Sequence, residues 1–131
     1  MRIALAALAL AALALLALAV PARAQPEAAA AFEARQADLV ALAERLGALH
    51  RLQQVCNPEE DPDRFREDLM AIIPLEVPRA STRTEMIDAF NAGYRDATSA
   101  HVICGREARR AYAAEAERAL VVTERLYAPF R

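Results

Sequence analysis

Cys56 and Cys104 are the side chains best suited to covalent or metal chemistry, and the residues around them allow more than one outcome. His50 precedes Cys56 by six positions and His101 precedes Cys104 by three. Two thiolates and two imidazoles would make a tetrahedral zinc set if the two segments met, although the spacing matches no common zinc motif. A redox-active pair calls for C-x-x-C spacing, which this pair does not have. A structural disulfide is the expected pairing and zinc the alternative, with no metal or cofactor assigned.

Other polar residues invite weaker readings. Asn91, Gly93, Tyr94 and Arg95 form the best candidate surface. Asn91 and Arg95 share a helix face at i and i+4, as a recognition patch or, more in keeping with its surroundings, a buried polar network. Gly93 inside a helix costs about 1 kcal/mol relative to Ala, which a close helix approach would explain. His50 reads as a hydrogen-bonded residue at the core edge. Glu76, between Pro74 and Pro78, is expected to pair with Arg66 or Arg95. Glu59, Glu60, Asp61 and Asp63 lack the spacing of a calcium loop and read as a solvated turn leading into a helix. No Ser/His/Asp set, phosphate-binding glycine loop, H-E-x-x-H or nucleophile elbow occurs, which points away from an enzyme.

The elements that position these residues are read as helices. No alternating β-branched run argues for a strand, and prolines separate the periodic segments. A first helix is expected over about 27–55, where Leu39, Leu42, Leu46 and Leu49 step by 3, 4 and 3 toward Gln53 and Cys56. Its start, Ala28–Ala31, favours helix but offers little packing volume and should fray or project. A short second helix is expected to be capped by Asp61, to use Phe65, Leu69, Ile72 and Ile73 as its apolar face, and to stop at Pro74. An extended connector over 75–80 should follow. Thr82 and Glu85 have capping-box spacing for a third helix, with a stripe of Ile87, Phe90, Tyr94, Ala97, His101 and Cys104. A fourth helix over about 106–127 carries the weaker stripe Tyr112, Ala116, Leu120 and Tyr127. The fold class is therefore all-α: a small bundle of three main helices plus one short helix, with one disulfide. That bond would set the first and third helices parallel, with the fourth antiparallel.

The N-terminal segment has the pattern of a Sec signal peptide. Arg2 precedes the apolar run Ile3–Val20, Pro21 breaks it, and Ala22-Arg23-Ala24 is an A-x-A site with cleavage expected before Gln25. Residues 25–131 then form one periplasmic helical domain, its folded core about 39–127, with no stable membrane span after cleavage. All 16 basic residues are Arg against 18 acidic ones, a net charge of −2 without a basic block. Nucleic acid is thus a poor partner.

The chain also resembles a family of uncharacterised exported alphaproteobacterial proteins. The likeness rests on Leu46-Gly47-Ala48-Leu49-His50 ahead of Cys56, on Phe65-Arg66-Glu67-Asp68-Leu69-Met70, and on Glu76-Val77-Pro78. It is most specific at Phe90-Asn91-Ala92-Gly93-Tyr94-Arg95, followed by Cys104. Phe65 stands where the family often has Trp, His101 where Tyr is usual, and Gly105 where Thr often follows the Cys. The resemblance implies two separated, disulfide-linked cysteines and supplies no activity. The expected function is a non-enzymatic periplasmic protein that binds another envelope protein. The alternatives are a small-ligand or metal binder using His50 and His101, and an enzyme on envelope polymers using Glu76 or His50.

Overall fold

A computed structural model describes residues 24–76 and 78–130. The expected signal run lies outside the described residues. Among the described residues the chain forms four α-helices: α1 (Ala24–Cys56), α2 (Arg64–Glu76), α3 (Ala80–Ala100) and α4 (Arg106–Tyr127). A 3₁₀ turn, Ala128–Phe130, follows. The chain divides after Phe32 into two compact units. Of the first, Ala24–Phe32 is described and is helical, with residues 25–32 exposed. The second unit, from Glu33 onward, contains the bundle.

The leucine stripe makes α1 the spine of that bundle. Leu39, Leu42, Leu46 and Leu49 are all buried, because their 3-4-3 spacing keeps them on one helical face. Gln53 continues the stripe and is also buried, its Nε2 donating to the Asp61 carbonyl at 2.6 Å and fixing the α1–α2 turn. Asp61 does not cap α2 directly. Its Oδ1 accepts the Asp63 N–H at 3.0 Å, an Asx turn that leads into a helix starting at Arg64.

Pro74 does not stop α2, which runs on to Glu76 with Pro74 inside it. Proline's φ is compatible with a helix, and its cost is a missing N–H near the helix end. The last turn is held from outside, by Arg35 bonding Glu76. The expected connector therefore shrinks, and α3 begins at Ala80.

The capping box at Thr82 and Glu85 does not form. Arg79 takes the N-cap position without a side-chain cap, and Thr82 lies inside the helix, 2% exposed. Long-range bonds to α1 set this start. The Arg79 N–H donates to Gln36 Oε1 at 3.2 Å, and its guanidinium holds both Glu33 oxygens at 2.9 and 2.8 Å.

Helix α3 runs parallel to α1. Arg79 meets Glu33 and Gln36, while Tyr94, further along, meets Gln54. The two backbones touch at glycines: a Cβ on Gly47 would overlap the Phe90 carbonyl, and one on Gly93 would overlap that of Glu44. The buried face of α3 is Thr82, Met86, Phe90, Gly93 and Ala97, whereas Ile87 from the expected stripe is 42% exposed. The helix ends at Ala100, so His101 and Cys104 lie in an irregular segment and not on the stripe.

Helix α4 has the expected bounds and runs antiparallel to α1. Arg45 pairs with Glu115 at 3.1 Å near its middle and Arg125 with Asp38 at 2.7 Å near its end. Its core residues are Ala108, Ala119, Val122 and Leu126. The expected stripe is therefore corrected: Leu120 and Tyr127 are 60% and 61% exposed. No helix among the described residues is long and apolar enough to cross a membrane.

Candidate functional site: an apolar trough between two parallel helices

The four residues of that stripe share another surface. Tyr112, Ala116, Leu120 and Tyr127 form one wall of a trough of about 940 Å³. Phe65, Asp68, Ile72 and Leu75 of α2 form the opposite wall, and Leu39, Leu42, Leu46 and Leu49 of α1 form the floor. The apolar face read from the sequence is real; it faces an open channel over the core instead of the core itself.

Two ties fix the spacing of the walls. At one end the Phe65 and Tyr112 rings meet edge-on, with centroids 6.5 Å apart. Burial, the largest influence, raises the Tyr112 phenol above its usual pKa, with the Glu60 carboxylate adding to the rise. At the other end Arg35 spans the walls. Its Nε and Nη2 donate to Glu76 at 3.1 and 2.5 Å, and its Nη1 donates to the Leu126 carbonyl at 2.7 Å. Phe130 lies against the same guanidinium, 5.2 Å from its ring centre. Between the ties the walls stand apart over roughly 16 Å, the rise of eleven helical residues.

The lip of the trough is apolar. Leu75, Leu120, Tyr127 and Phe130 line it, yet each is at least 60% exposed. A concave apolar surface continued by exposed large side chains marks a binding site more often than a packing fault.

The two sulfurs are bonded to each other, Cys56 to Cys104, with Cα atoms 4.9 Å apart and a sequence separation of 48. They are consequently unavailable as zinc ligands, and no group of three His, Cys, Asp or Glu among the described residues is placed to hold a metal ion. The bond joins the end of α1 to the segment between α3 and α4, where Arg109 Nη1 lies 3.6 Å from Cys104 Sγ.

The remaining predicted residues are scattered. His50 is buried against Phe90 and Tyr94, with centroids 5.5 and 5.6 Å away, and its Nε2 is 3.3 Å from Gln54 Nε2. Gln54 in turn accepts the Tyr94 hydroxyl at 3.1 Å. Burial, the largest influence, lowers the His50 pKa, against an opposing pull from Asp63 and with a smaller push from Arg66. His101 lines a separate small cleft beside Glu44, Asp96 and Glu115. Glu76 pairs with Arg35, not with Arg66 or Arg95 as expected; Arg66 pairs with Asp63 at 3.1 Å. Asn91 and Arg95 are exposed, so they form no buried network.

Residues 35–130 match the family model described as protein of unknown function, DUF2385. The chain belongs to that family. It places the trough, the disulfide and the glycine contact inside the family's span, because every residue that builds them lies between 35 and 130. Neither the curated proteins nor the solved structures contain a match.

Proposed function

We propose that this DUF2385 protein is exported to the periplasm and there binds another envelope protein without catalysis, by taking an apolar helical face of that protein into the trough. The observation that carries the reading is the apolar lip continuous with the leucine floor. A small molecule sunk between the walls would leave Leu75, Leu120, Tyr127 and Phe130 wet. A helix laid along the trough covers floor and lip together, as in other helix-in-groove recognition. Export is supported by Arg2, the run Ile3–Val20 and the Ala22-Arg23-Ala24 site, and a disulfide suits an oxidising compartment.

A photocrosslinking residue placed at Leu120 in living cells tests this, with the same residue at exposed Asn91 as control. The expected adduct at Leu120 maps by mass spectrometry to an amphipathic helix of an envelope protein. It disappears when Leu75 is changed to Asp. No adduct at Leu120, an adduct equal at Asn91, or a lipid or other small-molecule adduct at Leu120 would overturn the reading.

A further inference from the structure

The charges along the trough specify what its occupant looks like and which way it runs. Helices α2 and α4 are parallel, since Phe65 meets Tyr112 at one end and Arg35 joins Glu76 to Leu126 at the other. Both therefore direct their positive N-terminal ends toward the Phe65–Tyr112 tie. Arg64, which lines the trough there, adds a cation; its guanidinium stands 5.6 Å from the Phe65 ring centre and has no salt bridge among the described residues.

Beyond that end the sign reverses. Asp68 lines the trough one turn after Arg64, and Glu67 precedes it on the outer flank. On the facing wall, Glu117 and Glu124 each follow a lining residue, Ala116 and Thr123, at the solvent edge. All four carboxylates are exposed and make no salt bridge among the described residues. Exposed carboxylates thus border the apolar lip along both walls.

We infer that the trough selects an amphipathic helix whose apolar stripe is bordered by Lys or Arg. It docks antiparallel to α2 and α4, its C-terminus at the Phe65–Tyr112 end. This rests on the helix-binding reading above. The antiparallel direction opposes the partner's dipole to those of both walls and sets its negative C-terminal carbonyls against Arg64. The basic borders fall opposite Glu67, Asp68, Glu117 and Glu124. Rim charges of this kind steer and orient a partner, while the apolar floor holds it.

The test uses the protein purified as the cell produces it and three peptides of about 18 residues, long enough to overrun the trough. All share one Leu/Ala stripe, bordered by Lys, Ser or Glu, and binding is read by fluorescence anisotropy. The Lys-bordered peptide is expected to bind about tenfold tighter than the Ser-bordered one and to lose that advantage at high salt. The Glu-bordered peptide binds weakest. The exposed pair Glu117→Arg/Glu124→Arg should shift preference toward the Glu-bordered peptide. A photoreactive group at the Lys-bordered peptide's C-terminus should label the Phe65–Tyr112 end. Equal binding of all three, a preference unmoved by the charge reversal, or labelling at the Glu76–Leu126 end overturns the inference and leaves helix binding standing. Failure of all three to bind removes helix binding as well.

Discussion

Gly47 of α1 lies so close to Phe90 of α3 that a methyl group on it would stand 2.0 Å from the Phe90 carbonyl oxygen, well inside van der Waals contact. Gly93 makes the reciprocal contact with the Glu44 carbonyl. The obstruction is backbone in both cases, and no side chain can swing away to relieve it. Gly47→Ala and Gly93→Ala should therefore each destabilise by about 1–3 kcal/mol, in the range of overpacking, despite the gain of up to about 1 kcal/mol in helix propensity. Urea midpoints of the two variants would measure this, and an unchanged or raised midpoint would show that α1 and α3 are not in backbone contact.

The Cys56–Cys104 bond closes a loop of 48 positions around α2 and α3. Chain entropy assigns such a cross-link about 4 kcal/mol. For a domain with a typical total of about 5–15 kcal/mol, that is a large share. Cys56→Ser/Cys104→Ser should lower the urea midpoint by an amount equivalent to about 2–4 kcal/mol, and reductant should reproduce the shift in the native chain. Reductant without effect on the midpoint would mean that the helices hold their places unaided.

Much of this architecture is legible in the sequence because it depends on local periodicity. Leu39, Leu42, Leu46 and Leu49 share a face in any helix, and α4 keeps the bounds read for it. What the stripe at Tyr112, Ala116, Leu120 and Tyr127 packs against is a different question. Spacing says which side chains share a face; the separation of α2 from α4, set by Arg35 and by the Phe65–Tyr112 contact, decides that this face stays open. The partner of Glu76 was hidden for the same reason, since Arg35 is 41 positions away. At Thr82 a sound local capping signal is overridden by the tether from Arg79 to Glu33 and Gln36, formed across the fold.

Burial holds His50 below its usual pKa, so the folded protein takes up its proton less readily than the unfolded chain. The sign follows from linkage: where the unfolded state binds more protons, stability rises with pH. This residue's contribution is thus fully present above the unfolded value of about 6.5 and is lost as pH falls below it toward the lowered folded value. Unfolding free energy measured between pH 7.5 and 5 should decline, and His50→Gln should flatten that decline at the cost of some packing against Phe90 and Tyr94. An equal decline in the variant would assign the pH dependence to other groups.

Arg35 is the cross-brace of the trough, and its three donors serve Glu76 and the Leu126 carbonyl. About a quarter of each partner's side chain is exposed, so water screens the ion pair and its worth is modest. The bond to the Leu126 carbonyl contributes separately, because it ties down the C-terminal end of α4. Arg35→Met retains the aliphatic stem and removes every donor, and it should cost about 1–2 kcal/mol overall. The loss should be local in character. Amide exchange should quicken in the last turns of α2 and α4, where Glu76 and Leu126 sit, while the α1–α3 contact at Gly47 and Gly93 keeps its protection. Uniform loss of protection across all four helices would mean that Arg35 supports the whole bundle and does not specifically set the width of the trough.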